Sequence, residues 1–245
     1  MSAVLRFLGT GASGGTPGRG RSRRLESSLL IDGEAAILID VTRHFAAQSK
    51  AVSRLDAVLV THAHADAAGG MASLRRWSRG RDDGPIPVYA SVETIHVLER
   101  RFRRLDHCRF VAVDDGDRHR VGPWSIGART VPHAREARYR TLAWRLARQG
   151  TRLVYASDLS RLTPELERFS RGASLLVIDG AMWGRQIFTH LTIDRELPEL
   201  CAWKVGKIIL TQLGRTLPEH GQLERQVAGL CARARPAYDG LEVRL

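Results

Sequence analysis

Residues 57–66 read Ala-Val-Leu-Val-Thr-His-Ala-His-Ala-Asp, an apolar run that ends in His62, His64 and Asp66 at alternate positions. A short run rich in branched aliphatic residues has the pattern of a buried strand. Alternate residues leaving such a strand project to one side. Imidazole and carboxylate are the N and O donors that a borderline divalent ion accepts. The loop after this strand is therefore a candidate metal site. The next residue, Ala67, brings no donor.

The segments on either side follow regular periods. Val4 to Leu8 reads as a strand, followed by the glycine-rich turn GTGASGGTPGRG at 9–20. Ser28 to Ile31 and Ala36 to Asp40 form a hairpin pattern turning at Asp32 and Gly33. Helices are expected at Phe45 to Leu55, Ala67 to Trp77, Val92 to Phe102, Ile193 to Trp203 and Pro218 to Ala234. Strands are expected at Ala57 to Thr61, Ile86 to Ala90, Arg109 to Val113, Trp124 to Val131, Thr141 to Ala147, Leu153 to Ala156, Leu175 to Asp179 and Lys207 to Thr211. Early hairpins followed by strand and helix alternation predict an α/β protein with two sheets and helices outside them, not a doubly wound parallel sheet.

With 245 residues and 43% hydrophobic content, the chain can bury a full core as one domain spanning 1–245. Cys108, Cys201 and Cys231 are odd in number, widely spaced and without a CxxC pair. That predicts neither a disulfide framework nor a cysteine zinc cluster, and fits a reducing cytoplasm. The opening MSAVLRFLGT is too soon interrupted for a signal peptide, and no apolar run approaches a membrane span, so a soluble protein is expected. The formal charge is +12, with lysine only at Lys50, Lys204 and Lys207. An anionic partner is one reading, and arginine-rich usage throughout the chain is the other. Arg19, Arg21, Arg23 and Arg24 sit in the glycine-rich loop, where they could meet a phosphate. Arg100, Arg101, Arg103 and Arg104 follow the exposed face of a helix.

Further donors fall just past expected strands: His133 after Val131, Asp158 after Ala156, and Asp179 at the end of Leu175 to Ile178. Ligands placed at several strand ends converge on one edge of a sheet, where a rigid scaffold holds them in loops.

LGTGASGGTP at 8–17, ILID at 37–40, VTHAHAD at 60–66, His133, ASD at 156–158, VIDG at 177–180 and HLT at 190–192 together resemble the metallo-β-lactamase fold. That fold is a four-layer αββα sandwich of two mixed sheets. GGMASLRRW at 69–77 and PIPVYAS at 85–91 resemble the phosphodiesterase branch, which includes ribonuclease Z and the cyclic phosphate phosphodiesterase of phosphonate breakdown. The resemblance implies that His62, His64 and His133 bind a first metal ion and that Asp158 bridges toward a second ion held with Asp66. It also implies histidines at the positions of Ala67 and Gln212. Their absence predicts one firmly bound ion, Zn2+ first with Mn2+ or Fe2+ as alternatives, and a second ion weak or absent. Gln212 and His220 are the remaining residues that could help to hold that second ion.

The implied reaction is hydrolysis of a small phosphodiester or cyclic phosphate by metal-activated hydroxide, with Asp66 orienting the nucleophile and His190 as general acid. Asp40 and Asp179 would support the ligands from behind. Residues 134–157 are too few for the transfer RNA arm of ribonuclease Z, and the loop after the GTG turn has arginines and no cysteine where the phosphonate enzyme carries a cysteine-rich structural zinc site, so that zinc is not expected. A nucleic acid is therefore not the favoured partner. Two other readings stand beside this one. The first is a single-Fe(II) oxidoreductase of the sulfur dioxygenase kind, using His62, His133 and Asp158. The second is a non-catalytic protein that binds nucleic acid or another ligand through a degraded site.

Overall fold

Alternating side chains assign each strand to a layer. The structure, a computed structural model, describes residues 3–80, 84–133 and 140–245. One sheet runs in the spatial order β14 (Glu242–Arg244), β1 (Val4–Gly9), β2 (Ser28–Asp32), β3 (Ile37–Ile39), β4 (Ala57–Leu59), β5 (Ile86–Ala90) and β6 (Cys108–Ala112). The other runs β13 (Ala234–Pro236), β12 (Lys207–Thr211), β11 (Leu175–Asp179), β10 (Thr151–Ala156), β9 (Thr141–Arg148), β8 (Trp124–Val131) and β7 (His119–Val121). Leu5, Phe7, Leu29 and Ile31 from the first sheet share a buried core with Trp124, Ile126, Trp144, Tyr155 and Val177 from the second. That core is the seam between the sheets.

Each sheet is covered on its outer face. Phe45 of α1 (Phe45–Gln48), Met71 and Leu74 of α3 (Met71–Ser78), and Ile95 and Leu98 of α4 (Val92–Arg101) pack with Leu30, Leu38 and Val58. Leu166 of α5 (Pro164–Ser170), Leu197 of α6 (Ile193–Ala202) and Leu223 of α7 (His220–Leu230) pack with Val154, Leu176 and Ile208. The result is the αββα sandwich of two mixed seven-stranded sheets, counted among the described residues.

Strand direction places the site. β3 to β6 are mutually parallel, as are β10 to β13, while β8, β9 and β10 alternate. β8 therefore runs the same way as β10, β11 and β12, and the ends of these four strands open on one edge.

Three helices are shorter than the periodicity predicts, and the one expected over Pro218 to Ala234 is α7 (His220–Leu230), with Ala234 beginning β13 instead. The helix expected over Phe45 to Leu55 is α1 followed by a 3-10 turn at Ser49–Ala51. The helix expected over Ala67 to Trp77 splits into α2 (Ala65–Ala68) and α3, because residues 69–70 press against the Val41–Thr42 backbone. A Cβ at Gly70 would lie 2.1 Å from the Thr42 carbonyl oxygen, and Gly70 N–H donates to Val41 O. β7, α5, β13 and β14 were not expected. Three of them are three-residue strands and the fourth is a two-turn helix, lengths at which a period barely registers. Residues 134–139, in the connection between β8 and β9, lie outside the described residues.

The cysteines also depart from expectation. Cys201 in α6 and Cys231 just past α7 form a disulfide with a Cα–Cα distance of 5.8 Å. The cross-link arises because α6 and α7 pack side by side, and a reducing compartment would tend to open it. Cys108 is the free cysteine. No helix among the described residues is long and apolar enough to cross a membrane.

Candidate active site

β4 ends at Leu59, and the chain leaves it through Thr61 into His62, His64 and α2. His62 is fully buried, and burial carries its pKa down to about 3 although Asp158 pulls the other way. Its imidazole is therefore neutral, the form a metal ligand requires. Thr61 Oγ1 lies 2.9 Å from His62 Nδ1 and donates to Asp40 at 3.0 Å, while Thr61 N–H donates to Asp40 Oδ1 at 2.8 Å. This chain fixes the ring so that Nε2 points into the site. Asp40 holds its position in a left-handed conformation, φ 65°.

His62 Nε2 lies 2.8 Å from His64 Nδ1. His133, just past β8, is turned by its Nδ1, 2.9 Å from the Thr189 carbonyl oxygen. One nitrogen from each of these three rings lies within 4.8 Å of the others. His133, Asp158 and His190 form a second such group. Three nitrogens brought this close, two of them separated by a single hydrogen-bond length, suit a shared cation, so the donor set fits a divalent ion of the zinc type. The two-His-one-carboxylate group in the structure contains His190, whereas the iron reading needed His62.

Asp66, in the first turn of α2, and Asp158, past β10, face each other across Gln212. Gln212 Nε2 donates to Asp158 Oδ1 at 2.7 Å and to Asp66 Oδ2 at 3.3 Å. Ser157 Oγ donates to the other Asp158 oxygen at 2.6 Å. Burial and then Asp158 raise the Asp66 pKa to about 6. Gln212 is buried with φ 59°, and its N–H donates to Ser27 Oγ at 2.9 Å. A non-glycine residue held in that region marks a place where the surroundings over-determine the backbone. His220 does not join the site. Its ring stands 5.5 Å from that of Tyr238, and its backbone N–H donates to Ser22 Oγ.

His190 Nδ1 lies 2.6 Å from Asp179 Oδ2. Asp179 is buried at the end of β11 and also accepts from the N–H groups of Leu159 and Ala181. Burial opposes charge on His190, but the field and hydrogen bond of Asp179, with Asp158 and Asp66 behind them, outweigh it and lift the pKa to about 9. Asp179 thereby favours the protonated ring of His190 at neutral pH.

His64, Asp66, His133, Asp158 and His190 line a cavity of about 340 Å³ that also includes Ser13 of the glycine-rich loop. Glu26 pins that loop from below. Its buried carboxylate accepts from Gly14 N–H and pairs with Arg43, whose Nη2 also donates to Ser13 Oγ. Arg101, expected on an exposed helix face, donates to Ala63 O at 2.9 Å and braces the loop between His62 and His64. Ser13, Thr61, Arg101 and Ser157 carry no sequence signal of these roles, because each acts through a partner distant in the chain or through its own backbone neighbour.

This architecture and donor edge define the class, and a family comparison agrees: residues 35–211 match the beta-lactamase superfamily domain, and the chain belongs to that family. Over its whole length it is similar to the crystal structure of a diphosphatase from the PhnP family, with 26% identity, a TM-score of 0.88 and coverage of 100% of this chain and 98% of that one. It has the same fold as zinc-bound PqqB from Methylobacterium extorquens, at 21% identity and a TM-score of 0.82, covering 99% and 100% of the two chains. In sequence, 99% of the chain is 25% identical to an octanoyltransferase of Porphyromonas gingivalis. The chain spans about half the length of that curated relative, 51%.

Proposed function

We propose that this protein is a metal-dependent hydrolase of small phosphodiesters or related phosphate esters, using one Zn2+ ion. The observation that carries the reading is the convergence of His62, His64 and His133 beside Asp158 at the strand edge, with a charged His190 against the same group. His62, His64, His133 and Asp158 would hold the ion, which when bound supplies Lewis acidity to a phosphoryl oxygen and lowers the pKa of water. The remaining chemistry belongs to the chain. Asp66, poised with a pKa of about 6, is placed to orient water and accept its proton. His190 donates a proton to the leaving oxygen, and Asp179 keeps its ring turned and charged.

Gln212 takes the place of a second cation between Asp66 and Asp158, so the leaving group depends on His190. The similarity to a diphosphatase supports a phosphate-bearing substrate. The test is hydrolysis of bis(p-nitrophenyl) phosphate with Zn2+ or Mn2+ present. Turnover is expected in the wild type and its loss in His64→Ala. Absence of turnover, or an unaffected His64→Ala protein, would overturn the proposal.

A further inference from the structure

The outer face of the second sheet carries a trough of arginines that shares no lining residue with the metal-proximal cavity. Trp124, Ile126 and Ala128 of β8 point into the seam between the sheets, as do Trp144 and Leu146 of β9 and Leu153 of β10. Ser125, Gly127 and Arg129 therefore point outward, as do Arg145, Ala147 and Arg152. Register aligns them in rungs. Ser125, Ala147 and Arg152 lie side by side, and Gly127 lies beside Arg145. Arg152, Arg145 and Arg129 thus stand on successive outward rungs, roughly 6.5–7 Å apart along the strand direction.

Hollows of about 440, 390 and 210 Å³ follow this line. The smallest shares Ser125, Ala147 and Arg152 with one neighbour and Arg118, Gly127 and Arg145 with the other. The floor is made of small residues and the walls mainly of guanidinium groups, with Asp117 and Glu165 lining the hollow beside Phe169.

Several of these charges are held in place without being neutralised. The Arg145 guanidinium lies over the Phe169 ring at 4.8 Å, and Arg152 Nη1 donates to Arg171 O at 2.6 Å. Arg118, Arg120, Arg145 and Arg152 have no carboxylate partner among the described residues. The nearby Asp115 and Glu165 are paired with Arg129 and Arg168, while Asp117 accepts from Asp114 N–H. Burial, then Arg152, Arg118 and Arg129, push the Arg145 pKa down. Like charges gathered on a half-buried surface cost stability, and a multivalent anion would relieve that cost.

We propose that this trough binds a linear oligophosphate. The ladder of charges fits a chain of phosphates better than a single one. A bare chain is favoured over nucleic acid because the walls offer no exposed aromatic ring on which a base could stack; Phe169 is buried beneath Arg145.

The test is calorimetric titration of the zinc-loaded full chain with sodium tripolyphosphate, with zinc content assayed after each run so that chelation is not read as binding. The wild type is expected to show one saturable site that weakens from 50 to 300 mM NaCl. Arg145→Gln and Arg152→Gln should each weaken binding at least tenfold and keep kcat/KM for an aryl phosphodiester within about twofold of wild type. His64→Ala should bind as the wild type does, which separates this site from the proposed hydrolytic one. Arg145→Gln without ligand should melt no lower than the wild type, showing that it is folded and relieved of repulsion. Absence of saturable binding, unchanged affinity in both arginine variants, loss in His64→Ala, or tighter binding of a short oligothymidylate would each overturn the proposal.

Discussion

Gln212 and Asp158 meet at 2.7 Å, and the same amide nitrogen reaches Asp66 at 3.3 Å, so one neutral side chain donates to a buried carboxylate and a half-buried one. Two facing carboxylates need positive charge or hydrogen-bond donors between them. In Gln212 that need is met by an amide, and Ala67 adds no ligand nearby. The expected metal content of the wild type is about one ion per chain. Gln212→His, which replaces the donor with a ligand, should raise it toward two. Elemental analysis of both proteins after dialysis against Zn2+ checks this, and two ions in the wild type would refute the one-ion reading. Gln212→Ala should destabilise the fold by about 1–3 kcal/mol in chemical denaturation, since it strands the Asp158 oxygen without its donor.

His190 and Asp179 make stability depend on pH in a fixed direction. The folded protein binds the His190 proton up to about pH 9, against 6.5 for an ordinary imidazole. A raised folded pKa contributes stability in full below pH 6.5, and that contribution is lost as pH rises from 6.5 to 9. Urea unfolding of the chelated protein should therefore show a midpoint falling across this window, and Asp179→Asn should flatten the slope. In the loaded enzyme the same substitution should move the alkaline limb of the pH–rate profile to lower pH. The movement should be larger for an alkyl leaving group, which needs a proton, than for a nitrophenolate, which does not.

How far the sequence could be read follows from which interactions are local. Strands such as Trp124–Val131 and Leu175–Asp179 were legible because alternating or continuous apolar residues follow from burial itself. His62, His64 and Asp66 were legible because they occupy one turn of chain. The bond between Gln212 and Asp158 spans 54 residues and depends on β10 and β12 flanking β11, so no local pattern announces it. The same holds for Cys201 and Cys231, whose pairing follows from how α6 and α7 pack. His220 was a reasonable donor from its position after β12, but α7 carries it toward Tyr238 and away from the site.

Thr61 is the link between Asp40 and His62, its hydroxyl bridging the carboxylate and the imidazole. Replacing it with valine keeps the shape of the buried side chain and removes the oxygen that orients the imidazole. Thr61→Val should weaken zinc binding by about 10–100-fold with little change in secondary structure. Competition with a chromogenic chelator measures the affinity, and circular dichroism checks the fold. An unchanged affinity would mean that packing alone fixes the His62 ring.

The disulfide joins residues 30 apart in sequence and ties the end of α6 to the segment leaving α7, over the outer core of the second sheet. Closing that loop restricts the unfolded chain, so Cys201→Ser should lower stability by about 2–4 kcal/mol under non-reducing conditions. Cys108 gives the complementary readout. Burial, with Asp106 adding to it, pushes its thiol up to about 12, so the native protein should react with a thiol reagent slowly if at all. Unfolded without reductant, the chain should release one reactive thiol, and with reductant three. Three thiols in the unreduced unfolded protein would show that Cys201 and Cys231 remain apart, and the stability of Cys201→Ser should then match the wild type.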